Sequence, residues 1–377
     1  MMELPLQLSG TISTEEGISQ AMLCMDIDRP DEAMLHWWNE ITNHGAILVK
    51  VLRKSDGSIK LEPKNVYHVN SSGGLFMPRL SAEQFEYALG FRGHLQEVNE
   101  SLEGAWTHTS GKNGRLIFPL SKTSADIVPE VCASWNEFKE WTTCARDEKG
   151  AAIFRGHGSN SFRLRTTLHR AGMHRLERYC AESLVQFRGH AEAVLGVRFN
   201  LSDADDYSTL LGLTQHHGLP TPMLDWTSSP YIAAFFAFSD AVESLESRPN
   251  DTHVRIYGLA QDFVNRWSPP VVTLPYISPY VSSLAISPIN NSRLYAQQGK
   301  FLVTNIADLE YWLCSIDQPN GQKMLIAADV PITCAYEALK DLQFMGLTAA
   351  TMFPGLDGVC RMLKHEMSFN RQSLQNN

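Results

Sequence analysis

Segments typical of strands and of helices follow one another along this chain without a regular strand–helix–strand alternation. Arg175–Val197 and Pro230–Leu245 have the length and composition of helices. Later short runs predict strands at Val254–Leu259, Phe301–Thr304 and Met324–Asp329. Because a doubly wound parallel sheet needs a helix between successive strands, this order favours an α+β fold.

The first part of the chain, up to about residue 130, is predicted to be a small α/β unit. The spaced apolar residues of Asp31–Thr42 suit an amphipathic helix. Ala46–Leu52 and Ile59–Leu61, joined by the turn sequence Ser55–Ser58, indicate a hairpin. Arg115–Leu120 is a further strand candidate. No catalytic constellation stands out here, so we expect a recognition or scaffold role for this unit.

The length of the chain and one polar stretch together predict two domains. A chain of 377 residues exceeds one ordinary domain, for which about 150 residues is a soft prior. Ser121–Asp126 is polar, precedes Pro129 and has the composition of a linker. We therefore expect an N-terminal domain over 1–130 and a second, mixed α+β domain over 131–377.

Composition and charge exclude several classes of protein. Hydrophobic residues make up 44% and charged residues 19% of the chain, which excludes wholesale disorder. The 41 acidic and 32 basic residues give a net charge of −9. This balance argues against a chain whose main role is to neutralise nucleic-acid phosphates. The seven cysteines are scattered without a CxxC pair, so neither a disulfide framework nor a zinc ribbon is expected.

The same composition predicts where the protein is located. The chain does not open with a basic segment followed by an apolar stretch, so no secretory signal is expected. No run approaches the ~18 apolar residues that a membrane span requires. The sequence therefore predicts a cytoplasmic protein without a membrane partner.

A first chemistry-bearing segment follows the apolar run Ala151–Phe154. Arg155 stands at the end of this predicted strand, and Gly156 and Gly158 follow closely. A strand that ends in this way can present a guanidinium and backbone N–H groups to a phosphate. The segment lacks the third glycine of a dinucleotide fingerprint and the lysine of a phosphate-binding loop. The alternative is a strand-end turn with a surface arginine.

A second dense segment runs from Gln215 to Pro230. It holds His216, His217 and Asp225 between two helical segments. The spacing matches no zinc motif, and no nucleophile elbow accompanies a His–Asp pair. The alternative is a rigid loop that caps the following helix, with Trp226 in the core.

These residues resemble the FRG domain. The resemblance covers about 131–365, and one departure is Pro222, where family members usually carry arginine. The motifs that carry the resemblance are Phe154-Arg155-Gly156, Arg163 to Arg170, Gln215-His216-His217-Gly218-Leu219-Pro220-Thr221, Leu224-Asp225-Trp226-Thr227, then Arg293, Gln297 or Gln298, Gly299 and Phe301, and Phe353-Pro354-Gly355-Leu356-Asp357-Gly358.

A weaker resemblance is to the ADP-ribosyltransferase superfamily of the Arg-Ser-Glu type. Arg155-Gly156 looks like its first element, Trp226–Ser229 with Ala233–Ala237 like its second, and Tyr295–Phe301 lies where its third would be. This resemblance implies a split sheet and NAD as a substrate. It also implies a late-strand carboxylate that stabilises positive charge on the sugar, and Gln298 stands in its place.

The two resemblances imply roles for individual residues. Arg155 would contact the pyrophosphate or ribose side of NAD, and Thr227 and Ser228 would brace the nicotinamide ribose. Gln298 can only form hydrogen bonds, so Asp225 is the alternative catalytic acid. The remaining ligand-binding residues implied by the motifs are Gly156, His157, Gln215, His216 and His217.

Three functions remain open from the sequence. The first is transfer of ADP-ribose from NAD to a macromolecular acceptor, a protein or a nucleic acid, in a toxin or anti-phage effector as the resemblance implies. The second is a non-catalytic module that binds a nucleotide or a partner in a cleft at Arg155 and His216. The third is metal-dependent hydrolysis through His157, His216, His217 and Asp225. Whether the chain is an enzyme is left open.

Overall fold

The computed structural model describes residues 4–15, 17–39, 44–120, 127–266, 273–284, 286, 295–316, 321 and 323–375. The predicted linker Ser121–Asp126 and the motif residue Arg293 lie outside the described residues. No helix of the described part is both long enough and apolar enough to cross a membrane.

The N-terminal unit is a closed antiparallel barrel of eight strands. The order β4-β3-β2-β1-β9-β8-β7-β5 closes because β4 also pairs with β5. Two short elements, β6 and α1, are added outside the ring. The elements are β1 (Gln7–Thr14), β2 (Gly17–Asp26), β3 (Arg29–Trp38), β4 (Gly45–Arg53), β5 (Ile59–Val69), β6 (Leu75–Phe76), α1 (Ala82–Ala88), β7 (Phe91–Val98), β8 (Ser101–His108) and β9 (Asn113–Pro119).

The predicted helix at Asp31–Thr42 is wrong, and with it the α/β class of this unit. Arg29–Trp38 is strand β3. Ala33 and Leu35 face the barrel core, whereas Met34 packs against Ile277 of the second unit. Because both faces of the strand are buried, the sequence lacks the apolar–polar alternation of a half-buried strand. The other strands predicted in this unit are confirmed as parts of β4, β5 and β9.

The second unit contains a mixed sheet of seven strands in the order β10-β16-β13-β11-β12-β15-β14. Among the strand pairs of the described residues, only β10–β16 is parallel. The predicted α+β class is confirmed, as are the strands predicted in this part. The predicted runs correspond to β11, β13, β15 and β16, whereas β10, β12 and β14 were not predicted. The strands of this sheet are β10 (Glu130–Val131), β11 (Ala151–His157), β12 (Met223–Thr227), β13 (His253–Ala260), β14 (Val281–Leu284), β15 (Gly299–Thr304) and β16 (Leu325–Pro331).

Helices cover the second sheet. The predicted helix that begins at Pro230 is confirmed, and the Ser229 hydroxyl accepts a hydrogen bond from Ile232 N. Trp135 and Phe138 of α2 share a core with α7, α10 and one face of the sheet. The helices are α2 (Trp135–Asp147), α3 (Thr167–Arg170), α4 (Leu176–Tyr179), α5 (Val185–Leu195), α6 (Ala204–His216), α7 (Pro230–Glu243), α8 (Gln261–Arg266), α9 (Leu309–Ser315), α10 (Ala335–Phe344), α11 (Ala349–Met352) and α12 (Leu356–Gln375).

A network of charged residues joins the barrel to the second unit. Arg178 lies 2.9 Å from the Asp26 carboxylate and 2.6 Å from that of Asp28, at the tip of the β2–β3 hairpin. Arg175 lies 2.8 Å from Glu32 of β3. The hairpin is therefore held by charge-assisted hydrogen bonds to Arg175, at the N-cap of α4, and to Arg178 within that helix. The division of the chain between residues 130 and 131 stays a prediction, and in the structure this position lies within the short strand β10.

Candidate functional site

A cleft opens in the second sheet where two neighbouring strands part. β11 pairs with β12 at one position, Phe154 with Thr227, whereas β11 forms six pairs with β13 and β12 forms five with β15. Past Phe154, residues of both strands line a cleft of about 920 Å³. The missing strand pairing therefore creates the opening.

Arg155 spans the gap between the two strands. Its Nη1 donates to the main-chain carbonyl of Asp225 on β12, where a paired strand would supply a backbone N–H. Its Nε donates to His157 Nε2 at 3.2 Å. Burial lowers the pKa of Arg155, and an arginine stays charged at neutral pH nonetheless.

His157 is a neutral positioning group for Arg155. Its Nδ1 donates to the Phe162 carbonyl at 3.4 Å, so Nε2 is the lone-pair nitrogen that accepts from Arg155. Burial first, and then the charge of Arg155, lower the pKa of His157 to about 3. At neutral pH this imidazole therefore holds the guanidinium and carries no charge of its own.

Gln215 fixes the carboxylate of Asp225. Its Nε2 donates to Asp225 Oδ2 at 3.0 Å, and its Oε1 accepts from the Thr221 hydroxyl. The amide of Gln215 thus links the end of α6 to β12. His216 lines the cleft, whereas the adjacent His217 is not among the lining residues.

Thr227 joins the end of β12 to the loop before β15. Its hydroxyl donates to the Gln297 carbonyl at 2.8 Å, and Ser228 N donates to the Gln298 carbonyl at 3.2 Å. Gln297 lines the cleft, and its amide donates to the Met352 carbonyl at 3.0 Å. Gln298 is exposed with φ 47° and is outside the lining.

The structure brings together most of the residues that the sequence singled out. Ser228 joins His217 and Gln298 outside the lining of the cleft. Of the residues predicted for the site, those that line the cleft are Arg155, Gly156, His157, Gln215, His216, Asp225 and Thr227.

Four further arginines line the cleft, and they were not assigned to it from the sequence. Arg163, Arg165 and Arg170 lie in the short stretch after Arg155, so local clustering of arginine is a signal that could have found them. Arg361 comes from α12, and nothing in the sequence connects it to this site. The lining holds five arginines against the carboxylates of Asp225 and Asp240, although the whole chain is acidic.

Aromatic side chains form the apolar part of the cleft. Phe236 and Phe353 meet edge to face with ring centroids 5.8 Å apart, and Phe162 and Phe301 are further lining residues. Trp226 is buried, as the alternative interpretation of its segment predicted, and its indole Nε1 has no hydrogen-bond partner in the described part of the chain. The cleft thus combines cationic side chains with flat apolar surfaces.

Gly156 and Gly158 bring β11 close to α7. A Cβ at position 156 would collide with the main-chain carbonyl oxygen of Ala233, and one at 158 with the side-chain carboxylate of Asp240. Backbone cannot move aside cheaply, whereas a side-chain end can. The glycine of the first motif therefore has a packing role beneath the helix that borders the cleft.

Gly156→Ala is expected to lower the free energy of unfolding by about 1–3 kcal/mol, the usual cost of overpacking a tight contact. Gly158→Ala, the matched control just after the same strand, should cost less because the atoms it meets belong to the Asp240 side chain and not to the backbone, although the ion pair of Asp240 with Arg248 has to shift. Urea denaturation of both variants checks this. Equal losses in the two variants would contradict the packing role of Gly156.

The described residues offer no support for a metal centre in the cleft. Among them, no group of three or more His, Cys, Asp or Glu side chains lies close enough to hold a metal ion. Both ring nitrogens of His157 are engaged in hydrogen bonds. The hydrolytic hypothesis through His157, His216, His217 and Asp225 therefore gains nothing from the geometry.

Comparison with known proteins bears on one part of the chain. A family model described as the FRG domain matches residues 150–245, a narrower range than the sequence motifs implied. Comparisons with curated proteins and with solved structures gave no significant match. The segment from β11 to α7, which supplies Arg155, Gln215, Asp225 and Thr227 to the cleft, is therefore similar to the FRG domain.

Proposed function

We propose that the cleft between β11 and β12 binds NAD and that the protein transfers ADP-ribose from it to a macromolecular acceptor. The observation that carries this proposal is the excess of five arginines over two aspartates in the lining, within a chain of net charge −9. A concentration of positive charge in an acidic protein favours an anionic ligand.

Arg155 and Arg170 are the groups that would hold the pyrophosphate. Neither forms an ion pair with any described residue, whereas Arg361 is bound to Glu243 at 2.6 Å and Arg163 to Asp308 at 3.4 Å. Guanidinium groups bind phosphate oxygens in a bidentate manner. Arg155 is oriented beforehand by its bonds to β12 and His157, which reduces the entropy cost of binding.

The rest of the cleft suits the other parts of a dinucleotide. Its volume of about 920 Å³ is at the upper end of ordinary ligand pockets. Phe236 and Phe301 offer apolar surface for the adenine or nicotinamide ring. One ring face each of Phe162 and Phe353 is covered, by the guanidinium of Arg248 and of Arg361 respectively. The single strand pair between β11 and β12 supports the split sheet that the weaker sequence resemblance implied.

The reaction breaks the bond between ribose C1′ and the nicotinamide nitrogen. The bonding electron pair leaves with nicotinamide and neutralises its pyridinium charge, while an acceptor oxygen or nitrogen bonds to C1′ and releases its proton. Positive charge develops on the sugar, and a fixed carboxylate stabilises it. Asp225, oriented by Gln215, is the carboxylate proposed for this role, with Gln297 as a neutral hydrogen-bonding neighbour.

A second candidate function is nucleotide binding without turnover. It is favoured by the side chains before β15, where Gln297 lines the cleft and no glutamate is among the lining residues that the structure describes. An amide orients a ribose hydroxyl but does not offset positive charge. In this alternative the cleft acts as a binding module.

Asp225→Asn is expected to keep NAD binding within about threefold and to lower nicotinamide release about 100-fold or more, the usual cost of removing one group that stabilises transition-state charge. Asparagine can still accept the hydrogen bond from Gln215, so the contact between the end of α6 and β12 is expected to persist. Calorimetry with NAD measures binding, and release is measured with NAD labelled in its nicotinamide ring and cell extract as the acceptor. The control is Asp147→Asn, an exposed carboxylate outside the cleft.

Each outcome of this experiment separates the two candidates. Release by the unchanged protein that Asp225→Asn abolishes supports transfer chemistry through Asp225. Equal release by both proteins removes Asp225 from the mechanism. NAD binding without release supports the binding module, and absence of NAD binding overturns the transfer of ADP-ribose.

A further inference from the structure

The barrel contains a second cavity, remote in sequence from the cleft. It lies at one end of the barrel, has a volume of about 820 Å³ and is covered on one side by α1. We call it the barrel cavity. Four aromatic side chains line it, Trp37, Tyr87, Phe91 and Trp106, together with aliphatic residues that include Ile12. Mouths of barrels are common places for small-molecule sites.

The aromatic walls of the barrel cavity are held in fixed positions. The indole of Trp106 donates to the Ser13 carbonyl at 3.0 Å, and its ring stacks on Phe91 with centroids 6.0 Å apart and an interplanar angle of 21°. The ring of Trp37 lies directly over Gly45, where any Cβ would meet it. Trp106 and Phe91 are each 7% exposed. The aromatic side chains that line the cavity are therefore preorganised for a ligand.

Helix α1 covers the cavity and is held by hydrogen bonds at both ends. Ser81 and Gln84 form a complete capping box at its start. At its end, His108 Nε2 donates to the Tyr87 carbonyl at 3.0 Å, while His108 Nδ1 accepts from Ser110 N at 3.1 Å. Despite these fastenings, none of the helix residues is buried. A capped helix with no buried residue over an open cavity leaves room for an occupant between helix and barrel.

The charges around the barrel cavity are opposite to those of the cleft. Glu15 and Glu83 line it, and neither forms an ion pair with a described residue. With Lys112 the lining holds two carboxylates and one ammonium group. Aromatic faces attract cations through their quadrupole, and the attraction grows as water is excluded. Aromatic walls and a net negative rim together favour a positively charged ligand with an apolar body.

We propose that the barrel cavity binds a small organic cation, an ammonium or related group carried on an apolar body. The cation lies against the faces of Tyr87 and Trp106, with Glu83 of α1 as its charge partner. The apolar body fills the space beneath α1. This site is independent of the cleft, and its ligand class is the opposite in charge.

The test uses three probes of the same shape that differ in charge, applied to the full chain by calorimetry. They are benzyltrimethylammonium, the neutral neopentylbenzene and the anionic phenylmethanesulfonate. The cation is expected to bind at least about threefold more tightly than the neutral probe, and the anion is expected not to bind. Equal binding of cation and neutral probe would overturn the charge assignment, and no binding of either would overturn the site.

Two matched pairs of variants locate the binding site. Glu83→Gln is expected to weaken cation binding about threefold to tenfold, whereas Glu86→Gln, on the same helix but outside the lining, should leave it unchanged. Tyr87→Leu should weaken cation binding and spare the neutral probe, and Phe85→Leu is its control on the same helix. Equal effects within either pair would place the bound cation elsewhere and overturn the proposal. The residues changed in all four variants are exposed, so folding is expected to persist.

Discussion

Arg155→Ala is expected to weaken NAD binding about 100-fold, because truncating one partner of a desolvated charge contact costs about 2–5 kcal/mol. Arg155 spans the gap between β11 and β12 and is oriented by His157. Its guanidinium is the group proposed to meet the pyrophosphate. Calorimetry with NAD measures the change, and nicotinamide release should fall with it.

Two further variants make the Arg155 prediction specific. Arg155→Lys keeps the charge but loses the planar fork, so binding between that of Arg155→Ala and the unchanged protein is expected. Arg146→Ala removes an arginine that pairs with Asp147 on the exposed surface and should leave binding unchanged. Unchanged NAD affinity in a folded Arg155→Ala protein would show that Arg155 does not hold the pyrophosphate.

Arg175→Ala is expected to lower the free energy of unfolding by about 3–5 kcal/mol, the cost of breaking a buried ion pair from one side. The Arg175 side chain is 4% exposed and lies 2.8 Å from Glu32 and 2.7 Å from Glu177. Its removal leaves the buried carboxylate of Glu177 without its cation, and burial already raises the pKa of that group. Urea denaturation followed by circular dichroism measures the loss.

The same surface variant serves as the control for Arg175. Arg146 also lies close to a carboxylate, but both partners are well exposed, and such pairs add little to stability. Arg146→Ala should therefore leave the denaturation midpoint where it is. A loss of less than about 1 kcal/mol for Arg175→Ala would mean that the carboxylates of Glu32 and Glu177 find other partners or water.

The sequence predicted four strands of the second unit, β11, β13, β15 and β16, and helix α7, because each carries a local signal, whereas β10, β12 and β14 were not predicted. Ser229 and Pro230 mark the start of α7, and the short apolar run Ala151–Phe154 marks β11. The predicted helix Arg175–Val197 is only partly right, since a π-helical turn at Cys180–Leu184 separates α4 from α5. The sequence of β3 suits a helix because both faces of this strand carry apolar residues, and the second face packs on residues near Ile277, some 240 positions away. Tertiary burial of that kind leaves no mark on the local pattern. The closure of the barrel between β4 and β5 likewise depends on the whole set of strands.

Within the site, the sequence predicted the residues that lie in compact motifs. Arg155, Gln215 and Asp225 are such residues, and the structure brings them together. Arg361 reaches the cleft from the last helix of the chain, and its place depends on how α12 packs. The barrel cavity had no sequence signal, because its aromatic residues are spread over several strands and a helix.

The gap between β11 and β12 also bears on how such a protein can change during evolution. Where two strands separate, their facing edges keep main-chain N–H and C=O groups that a continuous sheet would pair. Amino-acid substitution can delete a carboxylate such as Asp225, but it cannot delete a peptide group. A descendant that loses the Asp225 carboxylate by a single codon change therefore keeps the two separated strand edges, because these belong to the backbone and not to any side chain.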